Sequence, residues 1–523
     1  MKNKIVNSII ALVMFLISGA TLYAQTAPTM GTVADFVIFT TNGAVTHTGI
    51  GYNSHITGNV GADIGAPISG FGNVDGVMLD GGLGATVTDL NNLYNDVSTQ
   101  GPATAHALLF GSETLSPGIY STLVGSPSVI GGVLTLDGGG DPNAMFIFQI
   151  GFDLSSTAFA EVNLINEAKA CNVFWVVEGS VGLATGTKMR GNILSNNGAI
   201  SIATNVLLEG RALSTNGAIA VNTGLTAFTP IGCGSTVLTG PVIPTLGTTE
   251  CYALLTANGA MLESGTSSIV GDVGSNGGGT VTGYTAAMIT GTLHSTPDGS
   301  TSLASTDLAT LELYLASLTP DIELLYPADF GHSLVLTPHV YLLGSATHLT
   351  DTIFLNAQGN PDAVFVIKIN GAVTTSTYSN VVLQNEAKST NVFWLVNNAS
   401  VDISNYSIFR GTLVVNIGAI SLFLGDTLDG RALTTNGAIT TNNVGKIIIN
   451  ATIPTITPDG PITFCQGDSV MLTATAGSAY LWSSGQATQT ITVYNSGNFT
   501  AVSYTHLRAH ETKANLVCRL LLE

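Results

Sequence analysis

Met189-Arg-Gly-Asn-Ile-Leu-Ser-Asn-Asn-Gly-Ala-Ile-Ser-Ile202 is followed, 19 residues further on, by Leu208-Glu-Gly-Arg-Ala-Leu-Ser-Thr-Asn-Gly-Ala-Ile-Ala-Val221. The shift lays Arg190-Gly191 on Glu209-Gly210, Asn197-Gly-Ala-Ile200 on Asn216-Gly-Ala-Ile219, and Val181-Gly-Leu183 on Ile200-Ser-Ile202. Short alternating apolar strands broken by Gly and Asn at a period near 19 are what a β-solenoid rung requires. A single rung cannot bury its apolar side, and stacking supplies the core.

A second, longer repeat encloses the first. Asn172-Val-Phe-Trp175 returns as Asn391-Val-Phe-Trp394, Gly210-Arg-Ala-Leu213 as Gly430-Arg-Ala-Leu433, Asp141-Pro-Asn-Ala144 as Asn360-Pro-Asp-Ala363, and Asn166-Glu-Ala-Lys169 as Asn385-Glu-Ala-Lys388. The chain therefore holds two copies of one domain, expected at 25–235 and 250–450. Gly411 falls on Gly430, so copy two repeats the short period as well. Leu90, Leu93 and Val97 in one copy, and Leu308, Leu311, Leu315 and Leu318 in the other, follow helical spacing and predict one amphipathic helix flanking each solenoid.

The ends differ from the middle. Met-Lys-Asn-Lys, an apolar run from Ile5 to Tyr23 and then Ala24 have the order of a secretory signal peptide, expected at 1–24. Pro454, Pro458 and Pro461 mark a linker at 451–461. Residues 462–502, with Cys465, Tyr480-Leu-Trp482 and period-two alternation, resemble a truncated Ig-like or PKD-like β-sandwich module. From 503 to 523 the composition shifts abruptly to His, Arg and Lys, which reads as an artefactual tail.

Charged residues are 9% of the chain, against roughly 25% in ordinary soluble domains. Setting aside Lys2, Lys4 and the tail, 9 basic residues face 31 acidic ones. Such a surface cannot neutralise phosphates, which excludes nucleic acid, and it disfavours anionic lipid. No segment after the signal peptide is apolar for long enough to insert into a membrane. The five cysteines form no zinc spacing; Cys233 and Cys251 are the nearest pair and bracket a Pro-containing linker, so a disulfide between them is considered.

Enzyme chemistry on a solenoid would need clustered ionisable groups. Arg211 and Arg431 share one context and read as rung-terminal arginines bonding to backbone carbonyls. Asp137, Asp141 and Glu161 keep no carboxylate pair in copy two, and His332, His339 and His348 read as surface or loop histidines. The expectation is no enzyme, no cofactor and no metal.

What the sequence does offer is small polar columns. Thr185, Thr204 and Thr223 lie one period apart, flanked by Gly182, Ser201, Ala220 and by Ala184, Ala203, Asn222. Stacked strands about 4.8 Å apart, with alternate residues about 6.8 Å apart, turn such columns into a regular grid of methyls and hydroxyls that can hold ordered water. Copy two has Leu424 and Asn443 in place of Thr204 and Thr223, and Phe423 in place of Ala203, so copy one is the better candidate.

The run Asp141-Pro-Asn-Ala-Met-Phe-Ile-Phe-Gln149, with Asn172-Val-Phe-Trp175, Gly210-Arg-Ala-Leu213 and Asn216-Gly-Ala218, resembles the signature of the ice-binding (antifreeze) protein family. The resemblance implies a mainly β chain of two tandem discontinuous right-handed β-solenoids, each with one flanking α-helix. It also implies ice as the ligand, adsorbed on a flat Thr/Ser/Ala-rich face, giving thermal hysteresis and inhibition of recrystallisation without a cofactor. The candidate contacts are Thr185, Ser201, Thr204 and Thr223, with Thr46, Thr48 and Thr57 from early rungs. The alternative is a structural or adhesive cell-surface protein using the solenoids as rigid spacers, with partners met through the C-terminal module. Either reading places the protein outside the cell or on its surface.

Overall fold

A computed structural model describes residues 27–49, 51–64, 67–230, 238–449, 456–460, 469–474, 479–494, 499–504 and 518–520. The expected signal peptide lies outside the described residues. The chain divides into two units, residues 1–235 and 236–523.

In the first unit, strand Lys188–Ser195 pairs parallel and in register with Leu207–Ser214, Gly191 opposite Gly210. These glycines make the rung turn a corner. Gly191 has φ +112°, and a Cβ on Gly210 would stand 1.9 Å from the Gly191 carbonyl oxygen, which is why the 19-residue period carries Gly there. The strand halves after the corner align with Phe174–Val177 and Ile38–Thr40; the halves before it align with Glu161, Thr226–Phe228 and His55–Thr57. A separate sheet stacks Leu109–Phe110, Ser128–Ile130, Leu154–Ser156, Val181–Leu183, Ile200–Ile202, Ile219–Asn222, Val45–Thr48 and Ile68–Ser69. Each rung thus presents three faces around an apolar lumen filled by Val45, Val181, Ile200 and Ile219, with Phe148 stacked on Trp175 at 4.1 Å.

The winding is discontinuous. Strand Phe36–Asn42 pairs with Leu207–Ser214, and Val45–Thr48 with Ile219–Asn222, so the first rungs stack on the last ones. Helix α1, Gly84–Thr99, then carries the chain to the far end, where winding resumes at Thr104–Ala105. Its Leu90, Leu93 and Val97 bury against Phe39, Ile147, Phe174, Leu194 and Leu213 on the outside of one sheet. The second unit repeats the plan: Tyr252–Thr256 pairs with Thr427–Thr434, and α2, Gly299–Ser317, lays Leu308, Leu311 and Leu315 on Leu255, Phe393, Val414 and Leu433. Leu318, expected as the last helical apolar residue, is the helix C-cap.

The conserved-looking motifs of the two copies are joints of this frame. The Asn172 amide donates to the Pro142 carbonyl at 3.2 Å, linking the Asp141-Pro motif to the Asn-Val-Phe-Trp motif, and Asn391 donates to Pro361 in the same way. Trp175 and Trp394 fill the lumens and donate their ring N–H to the carbonyls of Arg190 and Arg410. Arg211 is buried and donates from Nε and Nη2 to the Ala34 carbonyl, at 3.1 and 2.6 Å, across the seam between last and first rungs. Arg431 does the same to the Glu250 carbonyl at 3.2 and 2.8 Å. Burial pulls Arg211 down to about 10, against the opposing pull of Asp35, so it stays cationic at neutral pH.

Each helix is tied along its body and at its C-terminal end. Asp89 accepts from the Thr32 N–H and hydroxyl, both at 2.8 Å, and Asp307 accepts from Thr248 at 2.7 and 2.6 Å. At the C-terminal ends, Gln149 donates to the carbonyls of Val97, Ser98 and Gln100, while Lys368 donates to those of Ala316 and Leu318. These carbonyls lack helical partners, and a cation there also meets the negative end of the helix dipole.

Three boundaries differ from the sequence expectation. Residues ahead of 250 already belong to the second unit: the Thr239 carbonyl accepts from the Val364 N–H at 2.9 Å, and the Tyr314 hydroxyl donates to the Val242 carbonyl at 2.5 Å. Within the expected linker, Ile456–Pro458 forms a strand antiparallel to Val470–Ala474, placing Pro458 where the sheet ends and no ladder N–H is missed. Within the expected tail, Cys518–Leu520 pairs with Phe499–Tyr504. Cys233, one member of the considered Cys233–Cys251 pair, lies outside the described residues; among the described residues Cys171 is disulfide-bonded.

Replacing Arg431 by Met removes two charge-assisted bonds to the part-buried Glu250 carbonyl, an expected loss of about 2–3 kcal/mol in the chemical denaturation of the second unit. Lys368→Leu is expected to cost about 1.5–3 kcal/mol in the same measurement, whereas Lys368→Gln, which installs the first unit's solution, should recover most of it.

Candidate functional site

The three faces of the first unit differ sharply in chemistry. One is covered by α1. The second carries Glu161, Lys188, Arg190 and Glu209, joined as Lys188–Glu161 at 3.2 Å, Arg190–Glu161 at 3.6 Å and Arg190–Glu209 at 3.1 Å. The third is the separate sheet, open and built of small side chains.

Alternation fixes what that open sheet shows. Val181, Ile200, Ile219 and Val45 point inward and are buried, so their neighbours point out. Registered pairing runs Ser155, Gly182, Ser201, Ala220, Thr46 and Ser69 into one central column. Flanking it are Ser180, Ala199, Ala218 and Ala44 on one side, and Ala184, Ala203, Asn222 and Thr48 on the other. Over these four rungs the outward positions hold no charged residue. The Thr48 hydroxyl donates to the Asn222 carboxamide oxygen of the next rung, and Ser180 donates to Asp153 at 2.9 Å, so these two flanking hydroxyls are held in place. The lattice is about 4.8 Å by about 6.7 Å, fixed by strand spacing and rise.

The sequence candidates fall in three places. Ser201 and Thr46 stand in the central column, with Thr48 beside them. Thr185, Thr204 and Thr223 do form a column, stacked through backbone bonds from Gly186 to the Thr204 carbonyl and from Asn205 to the Thr223 carbonyl, but they occupy turns at the corner beside the sheet. The residues that follow them, Gly186, Asn205 and Gly224, have φ of +71°, +57° and +80°, so Thr-Gly and Thr-Asn were a turn signal in the sequence. Thr57 lies on the charged sheet, opposite Phe228, away from the others. Sequence reasoning missed the column Ser180, Ala199, Ala218 and Ala44, although each member directly precedes an inward apolar residue.

The second unit has the same open sheet with rougher contents. Its central column runs His348, Thr374, Asp402, Ser421, Thr440, Leu262 and Thr282, and Phe423 flanks it. His348, read from the sequence as a surface or loop histidine, is on a strand there and shares a 2.8 Å hydrogen bond with Thr374. The turn at Phe423 is pinned by buried Asp426, which accepts from the N–H groups of Phe423 at 2.7 Å and Ser407 at 3.0 Å; burial pushes its carboxyl up to about 7. Among the described residues no group of three or more His, Cys, Asp or Glu is placed to hold a metal ion.

The model of the family described as Ice-binding-like matches residues 39–225 and again 255–445. The chain belongs to this family. Each match covers nearly all of one solenoid. An ice-binding protein from Nostoc sp. (strain HG1) is 34% identical over 207 residues, 39% of this chain and 74% of the relative. One from Colwellia sp is 31% identical over 239 residues, 42% of this chain and 88% of the relative. The crystal structure of an ice-binding protein from an Antarctic Flavobacteriaceae bacterium superposes with a TM-score of 0.78 at 48% identity, covering 82% of this chain and 100% of that one. The family and these relatives are ice-binding proteins rather than enzymes. Among the described residues no helix is long and apolar enough to cross a membrane.

Proposed function

We propose that this protein adsorbs to ice through its open sheets, with the grid of the first unit as the principal contact, and thereby restrains ice growth and recrystallisation. The carrying observation is the contrast among three faces of one solenoid: one covered, one charged, one flat, uncharged and built of Ser, Thr, Ala and Gly. A charged face binds liquid water strongly and resists its ordering into a lattice. A grid of methyls and hydroxyls leaves water in regular troughs between columns, and its rigidity is provided in advance by the in-register rungs, so little entropy is lost on adsorption. Ser201, Thr46 and Thr48 are the central contacts; Thr185, Thr204 and Thr223 form the rim; Thr57 is not a contact.

The second unit supports a further reading in which it serves in part as a spacer. Phe423, Leu262 and Asp402 interrupt its grid, and an antiparallel β-sandwich follows it, as in an adhesive surface protein. The apolar run Ile5–Tyr23 and the disulfide at Cys171 support export, because disulfides persist in oxidising compartments.

Thermal hysteresis and recrystallisation inhibition of the full chain test the proposal. Ser201→Tyr should remove most of the activity, Ser201→Tyr with Thr440→Tyr nearly all of it, and Thr226→Tyr on the charged sheet none. A folded double variant that keeps full activity, or loss in the Thr226 variant, contradicts the assignment. Residues 27–235 and 236–449 as separate fragments then apportion the activity; folded, inactive fragments would leave only the spacer role.

A further inference from the structure

The two solenoids differ by a matched set of three residues where the flanking helix begins. In the first unit, Gly61 pairs with Leu79 and the helix starts after Leu83, a residue that gives no side-chain cap. In the second unit, Gly274 pairs with His294 and the helix starts after Asp298. The third member is Asn59, whose Oδ1 accepts from the Val77 N–H at 2.9 Å; its counterpart Asp272 accepts from the Thr292 N–H at 2.7 Å. An apolar or neutral trio in one copy is thus an Asp–His–Asp trio in the other.

The geometry of the trio is closed. His294 Nδ1 is 2.6 Å from Asp298 Oδ2, and Nε2 is 3.8 Å from Asp272 Oδ2, beyond hydrogen-bond length but within ion-pair reach. Nε2 has no other partner and is out of solvent. Asp298 is also the helix cap: its Oδ1 accepts from the Thr301 N–H at 2.9 Å, and the Thr301 hydroxyl accepts in return from the Asp298 N–H at 2.9 Å. The Tyr252 ring packs on the imidazole at 5.4 Å, with its hydroxyl hydrogen-bonded to Ser300 on the helix. Asp272 and Asp298 are the charged groups facing His294, and Tyr252 the remaining titratable one.

We propose that His294 is a pH-sensitive latch that clamps the start of α2 onto the first rungs of the second unit, with no equivalent in the first. The protonated imidazole bridges two carboxylates on two different elements. When neutral, it can donate to at most one of them and leaves the other carboxylate with its backbone N–H bond but no cation beside it. Asp272 first, and then Asp298, hold the His294 pKa above the usual imidazole value against the burial that lowers it. Asp298 sits below the usual carboxylate range; burial opposes this, but the Thr301 N–H and His294 outweigh it. The signs follow. The histidine contribution is fully present below its unfolded pKa of about 6.5 and is lost as pH rises through the higher folded value. The Asp298 contribution is present above about 3.9 and is lost as pH falls through its lower folded value.

Because Asp426 in the same unit also titrates near neutrality, a local readout on the full chain is needed. Hydrogen exchange, corrected for intrinsic rates, should show protection of residues 292–304 falling at least fivefold between pH 6 and pH 9, with 77–88 unchanged. In His294→Leu, which copies the first unit, the pH dependence should vanish whatever the overall stability. His294→Gln, of similar bulk and unable to charge, should be pH-independent too. Equal pH dependence at 77–88, persistence in either variant, or an imidazole that titrates by NMR at or below 6.5 would overturn the latch.

Discussion

Everything in each solenoid rests on parallel pairing across the seam, where a strand from the start of the domain adds to rungs from its end. Phe36–Asn42 lies on Leu207–Ser214, and Tyr252–Thr256 on Thr427–Thr434. Loop closure over so long a separation is entropically costly and non-local parallel pairs form slowly, so the seam needs its own fixings. Arg211 and Arg431 supply them by taking the carbonyl just before the first strand. The flanking helix, tied by Asp89 and Gln149 or by Asp307 and Lys368, is the crossover that lets the first rungs sit on the last.

Much of this frame was legible in the residues. A rung corner demands Gly191 and Gly210, the lumen demands inward apolar residues at every second position, and the helices show their buried stripe directly. The role given to Arg211 and Arg431 from their shared context is also the one the carbonyl bonds bear out. What periodicity could not give is where a strand ends and a turn begins within a rung. Thr185, Thr204 and Thr223 keep perfect spacing, yet the positive φ of the residue after each puts them at the corner, while Ser201 and Thr46, less conspicuous in sequence, stand at the centre of the sheet. Thr57 shows the same limit: its column exists on a different face, because alternation distinguishes inside from outside but not one outside from another.

Duplication makes the divergence of the two copies informative. Positions that hold the frame are kept or exchanged for equivalents, as Gln149 for Lys368. Open-sheet positions drift, as Gly182 to Asp402 and Ala203 to Phe423, without disturbing the rungs, since outward residues bear little of the packing. The trio Asn59, Leu79, Leu83 against Asp272, His294, Asp298 is different, because a position about 20 residues upstream changes together with a pair four residues apart, and in the second unit the three meet in space.

The central claim, that the open sheet rather than the charged sheet meets ice, is tested most directly by solid-state NMR of the labelled chain frozen in ice. Magnetisation transferred from ice protons should reach the methyls of Ala199, Ala203, Ala218 and Ala220 and the Thr46 side chain well before Lys188 or Arg190. Equal transfer to both sheets, or stronger transfer to the charged one, would contradict the account.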